Sequence, residues 1–180
     1  MILPGIFASQ MTGHLFSSNI VSLQTVTVGS GGSSSILFSS IPQTYTHLQI
    51  RALNVTSSAS NSGNIYFNGD TTNSNYRNHY FYGNGTAANA ASYNVPYYPE
   101  FTGGGATTSP GASILDILDY TNTNKTKVMR ELVGYDGAGS GIIGLSANMW
   151  NNTSAITSIN ITASGFTFQQ YTQFALYGVK

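Results

Sequence analysis

The sequence has very few charged side chains. Asp, Glu, Lys and Arg make up 7% of its 180 residues, whereas a typical globular protein has about 25%. The six basic and six acidic residues cancel, and the basic residues form no cluster. Nucleic acids and anionic membranes are bound through a concentrated positive field, so neither partner is expected. A chain near neutrality also lacks the charge repulsion that opposes self-association, which is typical of a subunit in an assembly.

Cysteine is absent, and so are long apolar runs. Without cysteine the chain can form neither a disulfide framework nor a cysteine-ligated zinc site. No apolar stretch approaches the roughly 20 residues that span a bilayer. The first ten residues, MILPGIFASQ, have no basic segment, and Pro4 and Gly5 interrupt their apolar run, so a cleaved secretory signal is not expected. We therefore expect the protein to be made in a cytoplasm and not exported through such a signal.

Short segments of alternating apolar and polar residues recur along the chain. The clearest is residues 45–55, YTHLQIRALNV, in which Leu48, Ile50 and Ala52 share one face. This pattern is typical of a strand with one buried and one solvated face. Around ten such segments are separated by turn-forming residues, which indicates an all-β sandwich or jelly roll. We predict an antiparallel, jelly-roll-like β-sandwich over residues 19–180, with residues 45–55 as its central strand and residues 1–18 as an extended N-terminal arm.

Three finer predictions concern pairing, helix content and the core. Residues 22–28 and 36–38, joined by a glycine-rich loop, are expected to form a hairpin. Residues 113–120, SILDILDY, fit a helix or a strand, and the surrounding pattern favours a strand. The parity of the last strand is open, because a shift of one residue exchanges its faces. The predicted core contains Leu48, Ile50, Ile65, Phe67, Val128, Leu145, Ile159 and Ile161, with either Phe174 and Leu176 or Ala175 and Tyr177.

The sequence shows no recognisable catalytic motif, since it has neither a Gly-x-Ser-x-Gly elbow nor a P-loop. Asp116 and Asp119 flank an apolar pair, and paired carboxylates are used in glycoside hydrolysis. Residues three apart in a strand face opposite ways, so we interpret at least one of them as solvated or ion-paired. His14, His47 and His79 lack the spacing of metal ligands. We predict a protein that is not an enzyme and has no catalytic, cofactor-binding or metal-binding residues.

A loop rich in oxygen ligands follows the strand predicted around residues 64–68. A surface Ca²⁺ site uses such ligands, but the loop has a single carboxylate, which argues against tight binding. Its members are Asn68, Asp70, Asn73 and Asn75.

Two groups of residues are candidates for contacts with partners. The first is the apolar part of the arm, which either covers the domain's own core or docks onto a neighbouring subunit. The second is a set of aromatic side chains, which belong to the core, to a subunit interface or to a surface that stacks on sugar rings. The arm residues are Met1, Ile2, Leu3, Ile6 and Phe7, and the aromatic residues are Tyr76, Tyr80, Tyr82, Tyr97, Tyr98 and Trp150.

Six segments, taken in order, resemble a family of small virion-associated proteins encoded by tailed bacteriophages. They are LPGIFASQMTGHL, FSSIPQTYTHLQIRA, FNGDTTNSNYRNHYFYGNG, GYDGAGSGIIGLSANMW, TSAITSINIT and QFALYGVK. The family is described as structural or tail-fibre-like. The resemblance implies a component of the virion, assembled in the host cytoplasm, and it supplies no catalytic residues.

These observations favour a non-enzymatic structural protein of the phage particle. The first expectation is a capsid decoration (cement) protein that is attached through its N-terminal arm to the major capsid protein or other virion subunits. It is expected to form a homo-oligomer, with a trimer favoured. The alternative is a tail or head fibre tip or adaptor that binds host-surface glycan. No cofactor is expected in either case.

Overall fold

The structure is a computed structural model that describes residues 19–57, 61–93, 100–104, 109–137 and 141–180. The predicted arm lies outside these residues, together with its candidate docking residues Met1, Ile2, Leu3, Ile6 and Phe7. Tyr97 and Tyr98 also lie outside them. The prediction of an all-β sandwich is confirmed: 59% of the chain is strand, and the described residues contain no α-helix.

Twelve strands and one short 3-10 turn make up the described structure. In chain order the strands are β1 (Ile20–Thr27), β2 (Ser35–Phe38), β3 (His47–Asn54), β4 (Asn61–Phe67), β5 (Tyr76–Gly83), β6 (Ala88–Tyr93), β7 (Glu100–Gly104), β8 (Gly111–Leu118), β9 (Lys127–Asp136), β10 (Gly141–Trp150), β11 (Ile159–Ala163) and β12 (Gln173–Val179). The 3-10 turn, Asn73–Asn75, precedes β5.

The strands form two antiparallel sheets. The larger has eight strands in the order β1-β12-β3-β8-β9-β10-β5-β6, and the smaller has four in the order β2-β11-β4-β7. Residues 45–55 supply β3, which lies inside the larger sheet between β12 and β8. Residues 113–120 supply most of β8, so the preference for a strand there is confirmed.

The core lies between the two sheets. Of the predicted core, Leu48, Ile50, Ile65, Phe67, Ile159 and Ile161 are fully buried. From the last strand Phe174 and Leu176 are fully buried as well, which settles its open parity. Gly178 continues that face beneath the ring of Tyr45, and a Cβ at this position would lie 2.4 Å from the ring. A side chain at Gly178 would therefore displace the tyrosine.

The predicted hairpin of residues 22–28 and 36–38 is wrong. β1 pairs with β12, whereas β2 pairs with β11 in the other sheet. The glycine-rich loop carries the chain from one sheet to the other, and each of the two strands pairs with a strand from the last quarter of the chain. Pairing across the chain overrides the local turn signal.

The predicted burial of Val128 and Leu145 is also wrong. Their exposed fractions are 48% and 53%, and β9 turns Lys127 and Met129 inward instead. The register determines this parity, because Met129 lies opposite Ile117, which is fully buried. Residues alternate strictly along a strand, so Val128 must then face outward.

Candidate functional site

The outer face of the larger sheet carries exposed apolar side chains across five neighbouring strands. The register places Ile114 opposite Leu132, and Leu132 opposite Leu145. It continues from Leu145 through Phe81 to Ala90. Directly opposed residues on one face have Cβ atoms about 4.5–5.5 Å apart, so these five form a continuous line. We call them the apolar row, and its four large members are 40–53% exposed.

The apolar row forms the floor of an open trough with a volume of about 880 Å³. One margin of the trough is polar and includes His79, Asp116 and Arg130. Asp116 accepts hydrogen bonds from Gln49 Nε2 at 2.8 Å and from Arg130 Nε at 3.0 Å. This carboxylate is therefore already paired, and the floor beside it is apolar.

A second hollow adjoins the trough on its other side. It has a volume of about 450 Å³ and is lined in part by Arg51, Ile114, Leu132 and Ile143. Ile143 is the most exposed of the large aliphatic side chains on this face, at 65%. With the four large side chains of the apolar row it presents on the order of 500 Å² of apolar surface, which is near the upper end for the largest patch on a monomer.

The strands expose these apolar residues because they bury polar ones. Lys127 is fully buried, and its Nζ donates hydrogen bonds to the backbone carbonyl oxygens of Asn122, Lys125 and Thr153. Glu131 is also buried and accepts a hydrogen bond from Ser146 Oγ at 3.2 Å. Buried charges are tolerated only with such partners. With these residues inward, the residues between them on β9 must face outward.

Sequence reasoning missed the apolar row. Its members come from five separate strands, and only strand register brings them side by side. One feature of the sequence could have indicated it: β9 has apolar residues on both of its faces. Met129 and Val133 lie on one face, and Val128 and Leu132 lie on the other. Such a strand has two faces that both need cover.

The two aspartates considered as a catalytic pair do not act together. Asp116 lies on the outer face and binds Arg130, whereas Asp119 lies in the turn after β8 and binds Lys125. The hydrogen bond from Lys125 is the main reason that the pKa of Asp119 lies below its usual value. His47 is also near Asp119, with Nδ1 3.4 Å from Oδ1. Both carboxylates are thus ion-paired with different cations.

Asp70 organises the loop before β5. Its Oδ2 accepts hydrogen bonds from Trp150 Nε1 at 2.8 Å and from Asn75 Nδ2 at 2.7 Å, and its Oδ1 accepts one from the backbone N–H of Thr72 at 2.9 Å. Burial alone would raise the pKa of Asp70, but the bonds from Trp150, Asn75 and Thr72 outweigh it, so the pKa is lowered. The carboxylate holds the loop against the core tryptophan.

We expect the protein to lose stability in acid through Asp70. Because its pKa is lower in the folded protein than in the unfolded chain, the ionised carboxylate stabilises the fold. That contribution is present in full above the usual pKa of 3.8 and is lost as the pH falls through the folded value. Urea unfolding followed by Trp150 fluorescence between pH 7 and pH 2 would measure it. In Asp70→Asn the decrease should be smaller, and an unchanged profile would contradict this role.

The aromatic candidates divide between the core and a half-buried pair. Tyr76 and Trp150 are fully buried around Phe67, with ring centroids 6.3 and 5.5 Å from it, which removes them from the contact candidates. Tyr80 and Tyr82 stack on each other at 5.7 Å. They lie on the face opposite the apolar row, beside a cavity of about 170 Å³.

The described part of the chain gives no support to a metal site or a membrane-spanning helix. There, no three His, Cys, Asp or Glu residues are grouped closely enough to hold a metal ion. The same residues include no helix with the length and apolarity needed to cross a membrane. Comparisons with protein-family models, curated proteins and solved structures found no match. The trough is therefore the candidate functional site on its geometry alone.

Proposed function

We propose that this protein is a non-enzymatic structural subunit of a tailed-bacteriophage particle, a capsid decoration (cement) protein that contacts neighbouring virion proteins through the trough. The observation that carries the proposal is the apolar row, which is exposed in the described part of the chain. Contiguous apolar surface of this size on a folded domain is typical of a protein–protein contact. The near-zero net charge removes repulsion between copies, and the resemblance in sequence supplies the phage context.

The size of the apolar surface fits this role. A standard interface buries about 800 Å² on each partner, of which a little over half is apolar. The roughly 500 Å² offered by the apolar row and Ile143 is comparable with that share. The apolar row and Ile143 together therefore offer enough apolar surface for a specific contact with a virion subunit.

The alternative, a tail or head fibre tip that binds glycan, has one observation in its favour. The stacked rings of Tyr80 and Tyr82 lie beside Asn78, Glu131 and Ser146 in one cavity. Aromatic faces next to polar side chains are the chemistry of sugar recognition. The cavity, at about 170 Å³, is smaller than the roughly 300–1,000 Å³ of usual ligand pockets, so we favour decoration.

Particle binding by full-length variants tests the proposal. Leu145→Glu places a charge on the trough floor, and we expect its affinity for particles to fall by more than about tenfold, as for a central interface residue. Leu37→Glu is the matched control: Leu37 is 58% exposed, but it lies on the smaller sheet. Copies per particle are counted by quantitative mass spectrometry, and circular dichroism checks that both variants fold.

The outcomes separate the two candidate functions. A copy number comparable with that of the major capsid protein supports decoration, and one comparable with tail proteins supports an appendage. Equal particle binding by Leu145→Glu and Leu37→Glu would sink the proposed contact through the trough.

A further inference from the structure

The shape of the trough restricts what can fill it. Its floor is the apolar row, and its volume of about 880 Å³ is a recess in the sheet surface. Two such recesses placed face to face would leave a void, whereas protein interfaces are packed as densely as interiors. A convex, apolar occupant fits this recess better than a second copy of it, and a single extended segment has that shape.

The length of the trough matches a short segment of extended chain. The apolar row crosses five strands, so its four gaps of about 4.8 Å span roughly 19 Å. An extended chain advances about 3.3 Å per residue, so six or seven residues cover that distance. Residues 1–7, MILPGIF, contain five large apolar residues and no charged side chain. Their composition suits the apolar floor.

We propose that residues 1–7 of one copy occupy the trough of a neighbouring copy. In the described part of the chain the four large side chains of the apolar row are 40–53% exposed, so the trough is open to an occupant, and a neighbouring copy is the donor we propose. This inference rests on the proposed function and names the partner of the trough: the arm of a second copy.

The arm is long enough to reach a neighbour. The sandwich begins with Ile20 on β1, which is the outermost strand of the larger sheet. The 18 residues before Asn19 can extend over about 60 Å. Because the donating arm and the accepting trough are different surfaces, the contact is head-to-tail. If the ring of head-to-tail contacts closes after three copies, the product is the trimer predicted from the sequence. If it closes after two copies, the two chains exchange their arms.

A disulfide between full-length chains tests this contact, since the protein has no cysteine of its own. Pro4→Cys, at the midpoint of residues 1–7, and Leu145→Cys, at the centre of the apolar row, are made as separate proteins with tags of different size, mixed, and oxidised mildly. Two cysteines form a disulfide only when their Cα atoms come within about 7 Å. We expect a disulfide-linked heterodimer on a non-reducing gel. Leu37→Cys replaces Leu145→Cys in the matched control, where we expect loss of this species.

Two results would overturn the inference. One is a heterodimer no more abundant with Leu145→Cys than with Leu37→Cys. The other is a disulfide confined to single chains in the double variant Pro4→Cys/Leu145→Cys, which would make the arm a cover for its own trough. If the cross-link fails while Leu145→Glu still loses particle binding, the proposed function stands and the partner is another virion protein. If particle binding also survives in Leu145→Glu, the proposed function fails at its own test.

Discussion

Replacing Trp150 with alanine should lower the free energy of unfolding by about 4–5 kcal/mol, the upper range for deleting a buried tryptophan. The indole is almost fully buried, and its ring centroid lies 5.5 Å from that of Phe67. Its removal leaves a cavity between the sheets and also takes a hydrogen bond from the Asp70 carboxylate. Domains of this size have a total stability of about 5–15 kcal/mol, so the variant should be marginally folded.

Trp150→Phe separates the two contributions. It keeps an aromatic ring beside Phe67 but lacks the indole N–H, so we expect a smaller loss of about 1–3 kcal/mol. Urea unfolding followed by far-UV circular dichroism measures both variants. If Trp150→Ala unfolds within about 1 kcal/mol of the unmodified protein, Trp150 is not a central part of the core.

Replacing Lys127 with methionine should cost about 2–4 kcal/mol. The new side chain has a similar length, but it leaves the carbonyl oxygens of Asn122, Lys125 and Thr153 without the donor they share. A fully buried acceptor that loses its partner costs about 1–3 kcal/mol; these three are only partly buried, so each costs less, and removal of the buried charge offsets part of the sum.

Lys125→Met is the control for Lys127. Lys125 is an exposed lysine two residues away, and it forms an ion pair with Asp119. Exposed ion pairs are screened by solvent and contribute little to stability, so this variant should unfold close to the unmodified protein. Equal destabilisation of the two variants would show that the cluster of carbonyls around Lys127 has no special role. Chemical denaturation at neutral pH measures both.

The trough and the buried lysine have a common origin in the parity of β9. Because Lys127 and Glu131 are buried with polar partners, Val128 and Leu132 are turned outward. Reversing the parity would bury the apolar pair but expose Met129 and Val133. The strand therefore presents an apolar face whichever way it is turned, which is consistent with a protein that contacts a partner through its outer face.

The candidate site could be predicted from the sequence only in part. The arm stands out because Met1, Ile2, Leu3, Ile6 and Phe7 are apolar and interrupted by turn residues, and its docking role remains a prediction. The aromatic set is divided by the structure, since nothing in the sequence distinguishes buried Tyr76 from half-buried Tyr80. The apolar row was missed because its members are adjacent only across strands.

The sequence by itself determined the fold class and the position of several strands. Alternation in residues 45–55 is sufficient for β3, and the context of residues 113–120 indicates a strand. These features depend on local periodicity, which a single segment carries. The low charge also restricts the classes of partner, and the absence of cysteine excludes a disulfide framework.

Only the tertiary structure decided which strands are neighbours and which faces are buried. The glycine-rich loop after β1 indicated a hairpin, yet β1 found its partner in β12, at the other end of the chain. The outward position of Leu145 follows from its place opposite Leu132 and Phe81. The physical reason is that strand pairing and burial are properties of several segments together. When a strand has apolar residues on both faces, its own sequence does not determine which face the rest of the chain will cover.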